Sequence, residues 1–442
     1  MSTSTDDGHP RGRALWERAR QVIPGGVNSA TRLIGRPYAF TRAEGAYLWD
    51  ADGNRYVDYH AAFGAILLGH RDPAVDAAAA AATAQIDLVG LGVTEHEVRM
   101  AETLREVLPS AEMTISCMSG SEATAQAARL ARGVTGRRYL VKVQGGFHGW
   151  HDPFARNVIS PPERAYRLDP LSSGILPDSL SGTLIAEYND LESVETFFHA
   201  FPEQIAAIIV EPIPHNVGAL LPEPGYLEGL RAITEREGAV LIFDEVITGF
   251  RHALGGYQQI AGVTPDLTTF GKAMANGYPV AGLGGSRALM ENFSSAGGSV
   301  LLAGTYNGHP VGAAAALATI DRLRDTDHYP RVRRLGDLMR AGLAEVISEL
   351  GIPAQVVGEG SVFVVYFVPE PVRGYRDLLG NDDDAYREFH RRMTDSGFLM
   401  LPMSLKRNHI SGAHTEDDVT RTIDAARTVL TDMCADGFFS GR

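Results

Sequence analysis

Three side chains in this sequence can become free amines near neutral pH, and their rarity singles them out. Of 40 basic residues only Lys142, Lys272 and Lys406 are lysine; the other 37 are arginine. A guanidinium keeps its proton and forms no imine, whereas an ammonium can lose its proton and attack a carbonyl. Each lysine is therefore a candidate for covalent or proton-transfer chemistry. Lys272 stands in Thr268-Thr269-Phe270-Gly271-Lys272-Ala273-Met274-Ala275-Asn276-Gly277, where flanking glycines let backbone and ligand approach closely. Lys142 falls inside an apolar run and reads as a strand residue whose ammonium reaches outward to water.

Other polar groups recur at one kind of position, just after a short apolar run. Glu211 follows Ile208-Ile209-Val210, and Asp244-Glu245 follow Leu241-Ile242-Phe243. Gln144-Gly145-Gly146-Phe147-His148 follow Val141-Lys142-Val143, and Ser119-Gly120-Ser121 follow Ile115-Ser116-Cys117-Met118. In a parallel α/β sheet, ligands bind beyond the carboxyl ends of the strands, so these groups converge on one edge. Asp244 ends a strand expected to be buried on both faces; its carboxylate needs a cation or several donors there, either a salt bridge or a ligand. Ser119-Gly120-Ser121-Glu122-Ala123-Thr124 opens a helix, which makes either an anion site suited to phosphate or an ordinary N-cap. The dinucleotide spacing G-x-G-x-x-G is missing. His148 and His151 with Asp152 are a weak metal signal; Phe147 and His148 stacking on a planar ring fits better.

The elements that must position these groups are legible as well. Residues 14–23 read as a helix stopped by Pro24-Gly25-Gly26. Residues 46–49 and 56–59 flank Asp52-Gly53, a hairpin signal. Residues 73–108 are mostly helical. Apolar runs at 113–118, 139–143, 183–186, 205–210 and 239–243 then alternate with helices at 122–132, 191–198 and 226–237, a pattern for a mostly parallel sheet covered by helices. Residues 157–181 read as a long loop of the kind that forms lids. A long helix follows Thr319, a β-like run spans 362–367, and a final helix starts near Glu416 with Thr415 and Asp418 as a capping box. The division expected is 1–70 (helix and hairpin, part of a small α+β domain), 71–325 (large domain) and 326–442 (the rest of the small domain).

Composition narrows the function classes. The chain has 442 residues, 44% apolar and 21% charged, ordinary globular usage. Its net charge of −14 repels phosphate backbones, so nucleic acid is not an expected partner. No apolar run is long enough to span a membrane; the alanine-rich stretch 74–84 is too short and carries Asp76. The first residues lack a secretion-signal core, and Cys117 and Cys434 make no disulfide framework or zinc site, so a cytoplasmic setting is expected.

Taken together, PGGVNSATR, WDADGNRYVDY, SGSEAT, GGFHGWHD, VEP with Asn216, DEVITGFR, PDLTTFGKAMANGYPVAG, GTYNGHP and SGAHTEDD resemble the class III aminotransferases. These are fold-type I enzymes that use pyridoxal 5'-phosphate, and the resemblance is to their glutamate-1-semialdehyde aminomutase-like group, over residues 24–430. It implies an α/β fold, with a seven-stranded-type, mostly parallel sheet in the large domain. It also implies roles. Lys272 would form an imine with the cofactor aldehyde, and Asp244 would bind the protonated ring nitrogen. Ser119, Gly120 and Ser121 would hold the phosphate. Phe147 and Val246 would pack on the two ring faces, with His148 nearby. Thr305 would reach the phosphate of a neighbouring subunit, implying a homodimer with interfacial sites. Ser29 and Arg32 match the substrate side, Arg32 as a carboxylate clamp, and Trp150 would line the substrate pocket or close over it. No metal is implied.

The reaction itself stays divided. Where the aminomutases resemble SQFEAGF, this chain has Met403-Ser404-Leu405-Lys406-Arg407-Asn408-His409, so a Glu–Arg pair with Arg32 cannot form. Lys406 either joins Arg32 in favouring an anionic substrate or turns to solvent. The expectation is an intermolecular aminotransferase acting on a small-molecule amino donor and a keto acid or aldehyde acceptor; the alternative is the intramolecular mutase. A noncatalytic cofactor-binding relative and a metal hydrolase built on His148 and His151 are the readings from other classes.

Overall fold

A computed structural model of the chain describes residues 9–33, 36, 38–324 and 327–439. The first eight residues and the expected boundary between 325 and 326 lie outside the described residues.

Seven strands form the central sheet: β1 (Met113–Cys117), β2 (Tyr139–Val143), β3 (Thr183–Ala186), β4 (Ile205–Val210), β5 (Val240–Glu245), β6 (Leu267–Phe270) and β7 (Ala281–Gly285). Their order is β1-β7-β6-β5-β4-β2-β3, and only β7 runs antiparallel to its neighbours. Every residue of β4 and β5 is buried, as their unbroken apolar runs require in a sheet covered on both sides. Sequence reading finds β1 to β5 and misses β6 and β7. The reason for β7 is steric. Its sequence is Ala-Gly-Leu-Gly-Gly, and a Cβ on Gly282 would lie 2.4 Å from the Ile115 carbonyl oxygen. Close strand packing has replaced side chains with glycine, and the apolar signal disappears with them.

Helices cover the sheet where the amphipathic pattern places them: Gly120–Thr135, Leu191–Ala200 and Tyr226–Glu237. The 73–108 stretch is two helices, Pro73–Gln85 and Glu95–Val107. The helix expected after Thr319 is also two, Pro310–Arg324 and His328–Glu349. The first begins earlier than expected because its alanine run, Ala313 to Ala316, is buried all round and presents no polar stripe. It packs against the alanine-rich helix Pro73–Gln85.

The second unit joins the two ends of the chain. Phe40–Glu44, Tyr47–Asp50 and Arg55–Asp58 form an antiparallel meander that turns at Asp52-Gly53, with Gly53 at φ +93°. Phe398–Leu399 pairs in parallel with Arg55–Asp58. Val57 and Tyr59 share a core with Leu335, Met339, Phe363, Val419 and Leu430. The Tyr59 hydroxyl lies 2.7 Å from Thr422 Oγ1 on the last helix, Glu416–Ala435, whose Thr415–Asp418 capping box is formed.

Candidate active site

A cavity of about 260 Å³ opens at the carboxyl ends of the parallel strands. Ser119, Gly120, Ser121, Phe147, His148, Asp244, Val246 and Lys272 all line it, although they come from four separate stretches of chain. Each is placed at the end of a strand or in the segment that directly follows one.

Asp244 and Glu245 end β5 and, being consecutive strand residues, face opposite sides. Glu245 points away from the cavity and accepts hydrogen bonds from the Tyr257 and Gln258 amides and from the Thr248 hydroxyl. Asp244 points into it. Register pairs Asp244 with Thr269, whose hydroxyl donates to Oδ1 at 2.9 Å, and the Val246 amide donates to the same oxygen at 3.1 Å. His148 Nδ1 lies 2.8 Å from Oδ2. A carboxylate only accepts, so that ring nitrogen carries the proton. Its other nitrogen is buried without a partner. The stacking expected of His148 therefore gives way to a hydrogen bond: the imidazole orients Asp244, and Phe147 alone keeps an exposed ring at the cavity.

Lys272 opens the turn Lys272–Ala275 after β6, at φ 43°. A non-glycine residue there is strained by about 1–3 kcal/mol and must be held by its surroundings. Asn276 does part of this, accepting from the Leu67 and Leu68 amides and donating to the Gly69 carbonyl. Burial, followed by the nearby Arg407 charge, pulls the Lys272 amine down to about 8, against the opposing pull of Asp244 and Glu211. Arg407 donates to the carbonyls of His215 and Phe63, and Arg251 to that of Gly64. Both arginines are almost fully buried and clasp a left-handed turn, Ala61, Ala62 and Phe63 at φ 47°, 49° and 59°. These two cations lie behind Lys272, and both lower its proton affinity.

Ser119 caps the helix Gly120–Thr135, accepting from the Glu122 amide, while Glu122 accepts from the Met118 and Ser119 amides. The N-cap reading thus holds for the Ser119 side chain, and the helix's positive end still faces the cavity. Gly120 is required: a Cβ there would come 2.8 Å from Val246 Cγ1. Gly149, at φ +92°, likewise lets the following loop pass Ser121, whose Cα a Cβ would meet at 2.7 Å. The cavity thus has a cationic amine on one strand end, a carboxylate on the next, a helix N-terminus, and walls formed by Phe147 and Val246. A planar, phosphorylated, aldehyde-bearing heterocycle with a basic ring nitrogen fits those four features.

The remaining expected residues lie elsewhere. Thr305 is exposed and lines a neighbouring depression with Cys117, Met118 and Glu122. Ser29 is exposed, and Arg32 lines a separate, largely apolar cavity of about 420 Å³ that also holds His60 and Phe63. Trp150 is 73% exposed. Lys406 neither joins Arg32 nor turns to solvent. It is buried, and its Nζ donates to the Asn216 carbonyl at 2.7 Å and to Asn216 Oδ1 at 2.5 Å. Lys142 is a second correction. Rather than reaching water, it is fully buried and donates to the Gly146 and Arg156 carbonyls. His151 Nε2 lies 3.1 Å from the Thr124 hydroxyl. Among the described residues, the one cluster with metal-ligand potential is His9, Asp50 and Asp52, away from this cavity.

Sequence reasoning missed the grip of Glu211 on this site. Its Oε1 accepts from the Phe147 amide at 2.9 Å and its Oε2 from the His215 amide. The only signal was its place after an apolar run.

The class-III aminotransferase profile matches residues 31–411. A glutamate-1-semialdehyde 2,1-aminomutase of Methanothrix thermoacetophila is 41% identical over 421 residues, 95% of this chain and 96% of that one. Among solved structures, an omega-transaminase from Sphaerobacter thermophilus superposes with a TM-score of 0.88 at 32% identity, covering 95% of this chain and 97% of that one. A transaminase with pyridoxal phosphate bound gives 0.87 at 28% identity, with 97% and 98% covered. No described helix is long and apolar enough to cross a membrane. With the family profile spanning both units of the fold and a cavity whose groups fit this cofactor, the chain belongs to the class-III aminotransferases, fold-type I enzymes dependent on pyridoxal phosphate.

Proposed function

We propose that the protein is an intermolecular aminotransferase, moving an amino group from an amino acid or amine donor to a separate keto acid or aldehyde acceptor. The observation that carries this choice over the mutase is Lys406. It replaces the acid of the aminomutase-like pattern and is committed to Asn216, so no carboxylate stands at that position to face Arg32. When bound, pyridoxal phosphate supplies a reactive aldehyde and an electron-accepting ring. The helix N-terminus at Ser119, Gly120 and Ser121 would hold its phosphate. Asp244 would hold the ring nitrogen in its cationic form, with His148 fixing the carboxylate. Phe147 and Val246 would confine the ring. Lys272 Nζ would bind the aldehyde carbon and, once free, take up the proton leaving the substrate's α carbon. An amine held near neutrality suits both halves of that transfer.

Thr305 would contribute to the site of a second copy. Its exposure supports this, as do the exposed apolar side chains Leu91, Leu301 and Tyr306, which a homodimer would cover. Arg32, with Ser29 and Trp150, would receive the substrate carboxylate. The division at 70 and 325 follows the same reading, the cofactor site falling within the larger unit. Two free cysteines are in keeping with a cytoplasmic setting.

The test is acceptor dependence. Purified protein is incubated with a panel of amines, α-amino acids and β-amino acids, with and without a 2-oxo acid, and keto products are quantified. Product that forms only with acceptor present supports the proposal. The 41% identity to an aminomutase favours the second reading. Sustained isomerisation of glutamate-1-semialdehyde without acceptor would establish that reading instead.

A further inference from the structure

Lys142 is placed where a strand ordinarily carries an alkyl side chain, between Val141 and Val143 in β2, and it is wholly removed from solvent. Burying an ammonium is costly unless acceptors surround it. The acceptors here are all backbone: Gly146 O at 2.7 Å, Arg156 O at 2.6 Å and Asn157 O at 3.5 Å. Three N–H donors thus meet three carbonyls.

Those carbonyls belong to the two stems of one excursion. Gly146 is its entry, directly before Phe147 and His148; Arg156 and Asn157 are its exit. The stems also touch through the Gly145 amide and the Asn157 carbonyl, at 3.0 Å. Within the excursion, Glu211 takes the Phe147 amide and Thr124 donates to the His148 carbonyl at 2.7 Å. Asn157 Nδ2 also donates to Gln144 Oε1 at 2.9 Å across the neck, and Thr124 meets the loop at His148 and His151; to these ties Lys142 adds a single ammonium that bonds to both stems at once. A planar guanidinium spreads its donors over a wider fork and could not converge on this neck. That accounts for a lysine here in a chain that otherwise writes arginine.

We propose that Lys142 is a positioning residue for the cofactor site, a clasp that closes the neck of the 146–157 loop so that Phe147 is held beside the bound ring and His148 against Asp244. The inference rests on the reading that Phe147 and Asp244 meet the cofactor. Lys142 touches neither cofactor nor substrate; it acts through the loop.

The test compares wild type with Lys142→Met, which keeps the stem and removes the donors. Amide hydrogen exchange is read on cofactor-free protein. We expect exchange across residues 145–157 to rise at least tenfold, with the helix Pro310–Arg324 unchanged as an internal control. Cofactor titration of the same protein should show a dissociation constant raised about tenfold and weaker visible circular dichroism of the bound ring. Unchanged exchange in the loop overturns the clasp. A loosened loop with wild-type cofactor affinity and dichroism also overturns the proposal, since positioning would then be irrelevant to the site. If Lys142→Met does not fold, Lys142→Gln, whose planar amide is one bond shorter than the lysine stem and does not bridge both stems, is read by the same two measurements, and unchanged values there count against the proposal equally. The loop measurement needs no bound cofactor, so it fails or succeeds independently of the transamination assay.

Discussion

Gly120→Ala is the sharpest probe of the site. Gly120 has an ordinary helical backbone at the start of a 16-residue helix, so alanine is locally favourable. The obstacle is Val246, whose methyls would stand 2.8 and 3.0 Å from the new Cβ. Carbon atoms rest at about 3.5–4.0 Å, so Val246 must retreat by roughly 0.7 Å or more. Its amide is tied to Asp244 Oδ1, which leaves rotation of the side chain into the cavity as the open direction. In the empty protein that rotation meets free space; with the ring bound it does not. The overpacking penalty of about 1–3 kcal/mol therefore falls on the bound state, a loss of roughly 5- to 150-fold in cofactor affinity. The assay is titration of cofactor-free protein by absorbance, alongside a thermal melt. The expected result is a weakened dissociation constant with the cofactor-free melting temperature unchanged or slightly raised. Affinity within twofold of wild type would refute the placement of Gly120 and Val246 against the ring.

Further outcomes follow from the same geometry. Lys272→Ala should fold normally and lose turnover by at least about a hundredfold, measured in the acceptor-dependent assay; wild-type-like activity would remove its role. Capture of cofactor by cofactor-free protein should accelerate with pH and level off above about 8, because the reacting amine is the deprotonated one and burial lowers Lys272 to that value; stopped-flow rates that keep climbing to pH 10 would contradict it. Asp244→Asn should lower turnover by roughly 10²–10³ while leaving the fold intact, read by kinetics and circular dichroism. Lys406→Met should destabilise the protein by about 1–3 kcal/mol, through the two Asn216 acceptors left unpaired, with little change in substrate KM; a large KM effect would return Lys406 to the substrate. Burial holds Lys142 and Lys406 at about 7, below their unfolded value of 10.5. The unfolded chain therefore binds more protons above pH 7, so these two groups add stability as pH rises from 7 to 9, checked by urea midpoints at the two pH values.

The cofactor cavity was largely legible because its residues sit at strand ends, and strand ends can be read from apolar runs. Asp244, Phe147 and the Ser119 turn are legible that way, Lys272 is legible from its rarity and its flanking glycines, and all of them line one cavity. What could not be read is pairing across the sheet. Nothing local announces that Thr269 supports Asp244, since that contact depends on the register of β5 with β6. Lys142 and Lys406 were misjudged for a related reason. A lysine's direction depends on where backbone carbonyls happen to gather, and those of Gly146, Arg156 and Asn216 are brought to them only by folding. The glycine-built β7 shows the opposite failure, where packing erased the signal it would normally leave.

The scarcity of lysine has a practical side. With Lys142 and Lys406 sealed inside and Lys272 opening only onto the cavity, the outer face offers no side-chain amine to glutaraldehyde, succinimidyl esters or a carboxyl-activated resin. Among side-chain amines, immobilisation or dye labelling by such routes would find only Lys272 at the cavity, so attachment is better directed at the acidic surface or at an added tag.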